Sequence, residues 1–179
     1  RSTGTTSPSP PPRPPRNNAR MPALAALIED LVAANRILAG LNVLDGFGHV
    51  SVRHPDHADR YLLSRSVAPE LVTRDDIMTF DLNSLAQGGD TRTPYLERFI
   101  HGEIYARRPD VRSVVHSHAP AVVPFAASSV TLRPIYHMSS FLRTGAPVFE
   151  MRAHFGMTDM LVRNNDQGKA LASSLAEGP

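Results

Sequence analysis

The stretch VVHSHAP, Val114 to Pro120, closes a short apolar run with two histidines one residue apart. Residues two apart on an extended strand project from the same face, so His116 and His118 can aim their imidazoles at a common ion. Two ligands fall short of a catalytic metal site, which takes about three protein ligands and keeps one position open. Nineteen residues upstream of His116, Glu97 sits in a helical pattern that leads into this strand. A helix packed across the strand's end would bring its carboxylate to the pair, as a third ligand or as a base beside the ion. His101, one turn further along the same face, is a candidate outer partner. The chain has no cysteine, so any metal must be held by imidazole and carboxylate. Such a centre suits chemistry in which a Lewis acid stabilises negative charge on a substrate oxygen while a carboxylate moves a proton.

The elements that must position these residues can be read from periodicity. Apolar residues recur at helical spacing from Pro22 to Gly40, predicting an amphipathic core helix. DGFGHVSVRH reads as a glycine-punctuated turn entering a strand, RYLLSRSV as a second strand ending in a polar turn, and Ile77 to Phe80 as a third. Short strands this close together predict an antiparallel meander. Thr91 to Tyr105 returns to helical period, with Thr93 as N-cap and Pro94 at the first position. A buried strand is expected from Arg112 to Val115, a short helix from Pro120 to Ala127, and another strand from Val130 to Ile135. Met157 to Asn164 reads as helical or irregular, and a last helix runs from about Asp166 to Ala176, with Gly178 and Pro179 closing it.

Composition narrows the classes. The length of 179 residues and apolar fraction of 41% fit one soluble domain with a real core. The formal charge of +2 is misleading, because residues 1–20 carry Arg1, Arg13, Arg16 and Arg20 and no acid, leaving the body two negative. A basic nucleic-acid binder is not expected. The segment 1–20, rich in proline and serine, is expected to stay disordered or in polyproline II. It reads as a segment preceding a natural start at Met21, or as a PxxP ligand for an adaptor function. No apolar run nears the roughly 20 residues of a membrane span, so the expectation is a soluble, cytoplasmic protein acting on a small molecule, with no nucleic-acid or membrane partner.

The ordered motifs GHVSVR, LLSRS, YLERFIHGEIY and VVHSHA resemble the class II aldolase/adducin family over roughly Leu24 to the C-terminus. That family holds sugar-phosphate aldolases, a ribulose-phosphate epimerase and decarboxylases of hydroxylated aromatic acids. The resemblance implies an α/β fold of three layers, α/β/α, with a mainly antiparallel central sheet. It places His116 and His118 on two of three zinc-ligating histidines, and Glu97 on the glutamate that approaches the metal and then serves as acid/base. Gly48, His49 and Ser51 fall on a G-N-V-S loop, with His49 where asparagine is usual. Ser64, Arg65 and Ser66 fall on a T-P-S-G phosphate turn, and a proton-donating tyrosine maps to Tyr136 or His137. Implied with these are a divalent metal (zinc, or else manganese or iron) and a homo-oligomer, a tetramer with sites at subunit interfaces. The expected function is a C–C lyase acting on a small hydroxy-carbonyl or hydroxy-carboxylate compound, by aldol cleavage or decarboxylation through a metal-stabilised enolate.

Departures from the family pattern refine this. The phosphate turn has lost its glycine and gained Arg65, and the serine pair before the glutamate is here Pro94 and Tyr95. A phosphate cradle needs backbone N–H groups approached closely at glycine, whereas a planar guanidinium matches a carboxylate. A carboxylated substrate is therefore expected over a sugar phosphate. Plainer readings stand beside these: Arg65 as a strand-end surface charge, Ser64 and Ser66 as turn hydrogen-bonders, His49 as a structural histidine. The family's third histidine would fall on a strand beyond Pro179, so residues 21–179 are expected to be an incomplete domain that binds metal weakly. A non-catalytic, adducin-like assembly module is the alternative.

Overall fold

The computed structural model describes residues 23–143 and 145–175. The arginine- and proline-rich segment and the Gly178–Pro179 stop lie outside them. In chain order the elements are α1 (Leu24–Gly40), β1 (His49–Arg53), β2 (Arg60–Ser64), single 3-10 turns at Pro69–Leu71 and Arg74–Asp76, β3 (Ile77–Asp81), α2 (Arg98–Arg107) and β4 (Ser113–His116). After them come α3 (Val123–Ala126), a 3-10 stretch at His137–Leu142, α4 (Met151–Phe155) and α5 (Asn165–Ser174). The strands form one antiparallel sheet in the order β3-β2-β1-β4.

Alternation along the strands builds the layers. Val50 and Leu62 point to one face and pack with Leu31 of α1 and Leu44. Tyr61, Leu63, Met78 and Phe80 point to the other, where Ile100, Ile104 and Tyr105 of α2 and Ala172 of α5 cover them. The result is α1, sheet, then α2 with α5, the three-layer α/β arrangement that the resemblance implies. The second face also receives His49, Ser51 and Arg53 of β1, because they share its parity. A Cβ on Gly168 would stand 2.6 Å from the Phe99 carbonyl, so only glycine lets α5 lie this close to α2. Arg53 ties the end of α2 to the turn before β4, donating to the carbonyls of Tyr105 (2.8 Å), Arg108 (3.0 Å), Val111 (3.0 Å) and Ala58 (2.6 Å). Among the described residues no helix is long and apolar enough to cross a membrane.

Several sequence expectations shift. The second helix starts at Arg98, and Thr93 and Pro94 are not its cap. Pro94 instead forms an isolated bridge with Arg65, and Ser66 N–H donates to the Thr93 carbonyl at 2.8 Å, so residues 93–95 run extended along the end of β2. The local start signal lost to this pairing, which buries Tyr95 and leaves Leu96 outside the helix. No strand forms from Val130 to Ile135; it pairs with no strand among the described residues, and Val130 and Ile135 stay exposed. Met157 to Asn164 is irregular, and the helical turn lies earlier, at α4, where the Glu150 carboxylate accepts from Arg152 N–H. β4 is covered on one face only, with Val114 buried and Val115 exposed. The first helix opens at Leu24.

Candidate metal centre

His116 ends β4, His118 lies just past the strand, and Glu97 occupies the N-cap position of α2. The fold brings all three together. His116 Nε2 lies 3.0 Å from His118 Nε2 and 3.3 Å from Glu97 Oε2. One donor atom from each falls within 4.8 Å of the others. Two imidazole nitrogens bound to one zinc ion at tetrahedral angles stand roughly 3.3 Å apart, so the spacing fits a single divalent ion. These three groups would hold it.

Each ligand is steered from behind. Glu97 turns its other oxygen to the Val162 N–H, which donates at 3.1 Å. His118 presents Nδ1 to Asp45, 3.1 Å from Oδ2 and 3.2 Å from Oδ1. Asp45 is fixed in turn by the N–H groups of Phe47 (3.0 Å) and Gly48 (2.8 Å). A carboxylate on the far nitrogen of a ligating histidine sets its tautomer and raises its basicity. Burial opposes ionisation of Asp45, but those two N–H donors and His118 outweigh it and hold the carboxyl below its usual range. Glu97 behaves alike: burial pushes it up, while His116 and the Val162 N–H bring it below the ordinary value. Both carboxylates are therefore ionised at neutral pH, the form in which they act as ligand or base.

His49 faces His116 across the β1–β4 ladder and stacks on it, with ring centroids 4.8 Å apart and planes 26° apart. Its other neighbours are the Tyr95 ring at 4.3 Å and His101, whose Nε2 lies 2.7 Å from His49 Nδ1. Burial, then the neighbouring His101 and His116, hold His49 well below the usual histidine pKa. Burial likewise pushes His101 down to about 3. Both are neutral in the folded chain at neutral pH.

The remaining sequence candidates divide. Ser51 is buried behind His49, its Oγ 2.6 Å from His101 Nδ1 and 2.7 Å from Tyr105 Oη. Ser64 is sealed, and its hydroxyl has no hydrogen-bond partner among the described residues. Arg65 donates from Nε to Asp76 Oδ1 at 2.6 Å and is partly exposed, and Ser66 is exposed. Tyr136 and His137 are exposed on the 3-10 stretch, their rings meeting each other at 6.1 Å and neither meeting the cluster. Among the described residues, no contact joins the proton donor expected there to Glu97. His101, the candidate outer partner, lies behind the cluster under His49, which itself stacks on His116. Asp45 is the site residue that sequence reasoning misses, although the aspartate of DGFGH, ahead of a glycine turn, is a signal for it; Tyr95, at a position of the family's serine pair, packs its ring on His49.

The family model of the Class II Aldolase and Adducin N-terminal domain matches residues 29–178. The chain belongs to this family. Decarboxylase tropJ of Talaromyces stipitatus is 39% identical over 151 residues, which are 81% of this chain and 56% of that protein. The 3,4-dihydroxyphthalate decarboxylase of Arthrobacter keyseri is 29% identical over 167 residues, 84% of this chain and 63% of that protein. The solved L-fuculose 1-phosphate aldolase of Glaciozyma antarctica superposes with a TM-score of 0.61 at 23% identity, over 93% of this chain and 63% of that one. At that identity the likeness is one of fold. This class II aldolase/adducin chain spans a little over half the length of the curated relatives just described.

Proposed function

We propose that the intact protein is a metal-dependent C–C lyase that decarboxylates a small hydroxylated aromatic acid. The convergence of Glu97, His116 and His118 carries the reading, because it supplies two imidazole nitrogens and a carboxylate in one place, with His118 exposed. Decarboxylation is favoured over aldol cleavage of a sugar phosphate by the decarboxylase relatives. The glycine-free turn Ser64-Arg65-Ser66 agrees with it, since it offers a guanidinium where a phosphate cradle would offer backbone N–H groups.

A bound divalent ion, for which zinc suits the imidazole and carboxylate donors, would supply a Lewis acid for the substrate oxygen that carries negative charge. The chain's own groups handle the proton. Ionised Glu97 takes the hydrogen of the substrate hydroxyl and returns it to the ring carbon that bears the carboxylate. The C–CO2 bond then breaks, CO2 leaves, and the bonding pair passes through the ring to the hydroxyl oxygen, which regains a proton from solvent. Arg65 is placed in the reading as the group that orients the departing carboxylate, and assembly into a homo-oligomer as the source of further lining.

The test is elemental analysis of the full-length protein together with CO2 release from a panel of hydroxylated benzoates and phthalates, run beside cleavage of L-fuculose 1-phosphate. Bound divalent metal with CO2 release supports the proposal; aldehyde release without CO2 overturns it in favour of an aldolase. A folded protein with neither metal nor turnover overturns it in favour of an adducin-like assembly module.

A further inference from the structure

Behind the metal cluster runs a buried line of four side chains, Tyr105, Ser51, His101 and His49, none more than 1% exposed. Successive contacts are Tyr105 Oη to Ser51 Oγ at 2.7 Å, Ser51 Oγ to His101 Nδ1 at 2.6 Å, and His101 Nε2 to His49 Nδ1 at 2.7 Å. Hydrogen counting fixes its direction. The Tyr105 phenol has one hydrogen, and Ser51 Oγ is the side-chain oxygen it meets, so Tyr105 donates to Ser51. Ser51 must then spend its own hydrogen on His101 Nδ1. A protonated Nδ1 would leave the serine hydrogen buried with no acceptor, a costly state. His101 therefore carries its hydrogen on Nε2 and donates to His49 Nδ1, and His49 carries its hydrogen on Nε2.

That last hydrogen has no acceptor among the described residues. His49 Nε2 makes no hydrogen bond among the described residues, yet it is not among the fully sealed unpartnered atoms, which are Asn35 Oδ1 and Ser64 Oγ. It is the ring nitrogen that does not meet His101, and the ring itself is packed by stacking on His116 and by the tilted ring of Tyr95. We propose that His49 is a substrate-binding donor, its Nε2–H locked by the Tyr105–Ser51–His101 line and offered to an acceptor-only oxygen, a phenolate or carboxylate, of the compound bound at the metal cluster. This rests on the reading of the cluster as a substrate site. A locked donor also selects: an oxygen that must itself donate meets a hydrogen and is rejected.

Two measurements test it on the full-length protein. In 15N NMR of the imidazoles, His49 and His101 should both show the Nε2–H tautomer, and Tyr105→Phe, which removes the terminal hydrogen alone, should give mixed tautomers at both. Salicylate serves as binding probe for the oxyanion. His49→Phe, which keeps the stacked ring, should weaken salicylate roughly tenfold to a hundredfold with metal content unchanged, and Tyr105→Phe should reproduce part of that loss. An Nδ1–H tautomer at His49, or unaltered salicylate affinity in His49→Phe with metal retained, overturns the inference. If wild-type protein shows the expected tautomers and salicylate binding but releases no CO2, the proposed reaction fails and the locked donor stands.

Discussion

The His118 ring is held at both ends: Nε2 lies 3.0 Å from His116 Nε2 and Nδ1 lies 3.1 Å from Asp45 Oδ2. His118 sits past the end of β4, where no ladder fixes it, so Asp45 does the orienting. Asp45→Asn keeps an oxygen for the Phe47 and Gly48 N–H groups and thus keeps the turn. It removes the charge behind the ligand. Metal affinity should fall about tenfold to a hundredfold with the fold unchanged, read by competition with a chromophoric chelator. Unchanged affinity would show that His118 needs no carboxylate partner.

The buried imidazoles make the metal-free protein acid-sensitive before its carboxylates titrate. An unfolded histidine protonates near pH 6.5, whereas folded His101 resists down to about 3 and His49 is also held well below 6.5. Between those limits the unfolded chain binds more protons, so stability is full above pH 6.5 and is lost as pH falls. Each group contributes a slope of about 1.4 kcal/mol per pH unit. Glu97 and Asp45, held low, lose their share only further down. Urea melts from about pH 7 to about pH 5 should therefore show stability falling with a slope that steepens toward two protons below about pH 6.5; a flat profile would place charge, and hence solvent, in the His49–His101 pocket.

Gly48 precedes His49 and touches the strand that carries His116. A Cβ there would stand 2.8 Å from Leu44 Cδ2 and 3.0 Å from the His116 carbonyl oxygen. Leu44 can give way, but the backbone carbonyl cannot without moving β4. Gly48→Ala should cost about 1–3 kcal/mol and weaken metal binding as well, because the His116 ligand rides on that carbonyl's residue. Thermal melts and chelator competition report the two effects separately, and loss of stability with intact affinity would mean that the strain is absorbed by Leu44 alone.

Much of this was legible in the sequence because local pattern and tertiary packing agree there. Strand β3 alternates in burial, strands β1 and β2 are buried on both faces because helices cover each side of the sheet, and the apolar stripe of α1 buries Leu31 and Val32. His116, His118 and Glu97 were readable because their offset needs only a helix laid across a strand's end. The start of α2 was not, since Thr93 and Pro94 carry a sound local cap signal that pairing with Arg65 overrides. The expected strand 130–135 failed for the converse reason: β-branched residues supply propensity, but a strand needs a neighbour. The donor line from Tyr105 to His49 could not be read at all, because it joins two elements 50 to 54 residues apart through three hydrogen positions.

Arg65 separates a surface charge from a substrate anchor. Its Nε donates to Asp76, whose other oxygen accepts from the Thr73 N–H at 2.9 Å and the Thr73 hydroxyl at 2.7 Å, so the guanidinium is held by an acid that is itself fixed. Pro94, its bridge partner, lies three residues before Glu97, which carries Arg65 toward the metal side of the sheet. The pair is partly exposed, with side-chain exposures of 41% and 11%. Arg65→Ala should therefore change stability by no more than about 1 kcal/mol. If Arg65 grips the departing carboxylate, the same change should raise KM for aromatic acids at least tenfold, and Arg65→Lys should fail to rescue it, because an ammonium lacks the planar fork. Full rescue by lysine would reduce the role to charge alone, and an unchanged KM in the alanine variant would return Arg65 to the surface.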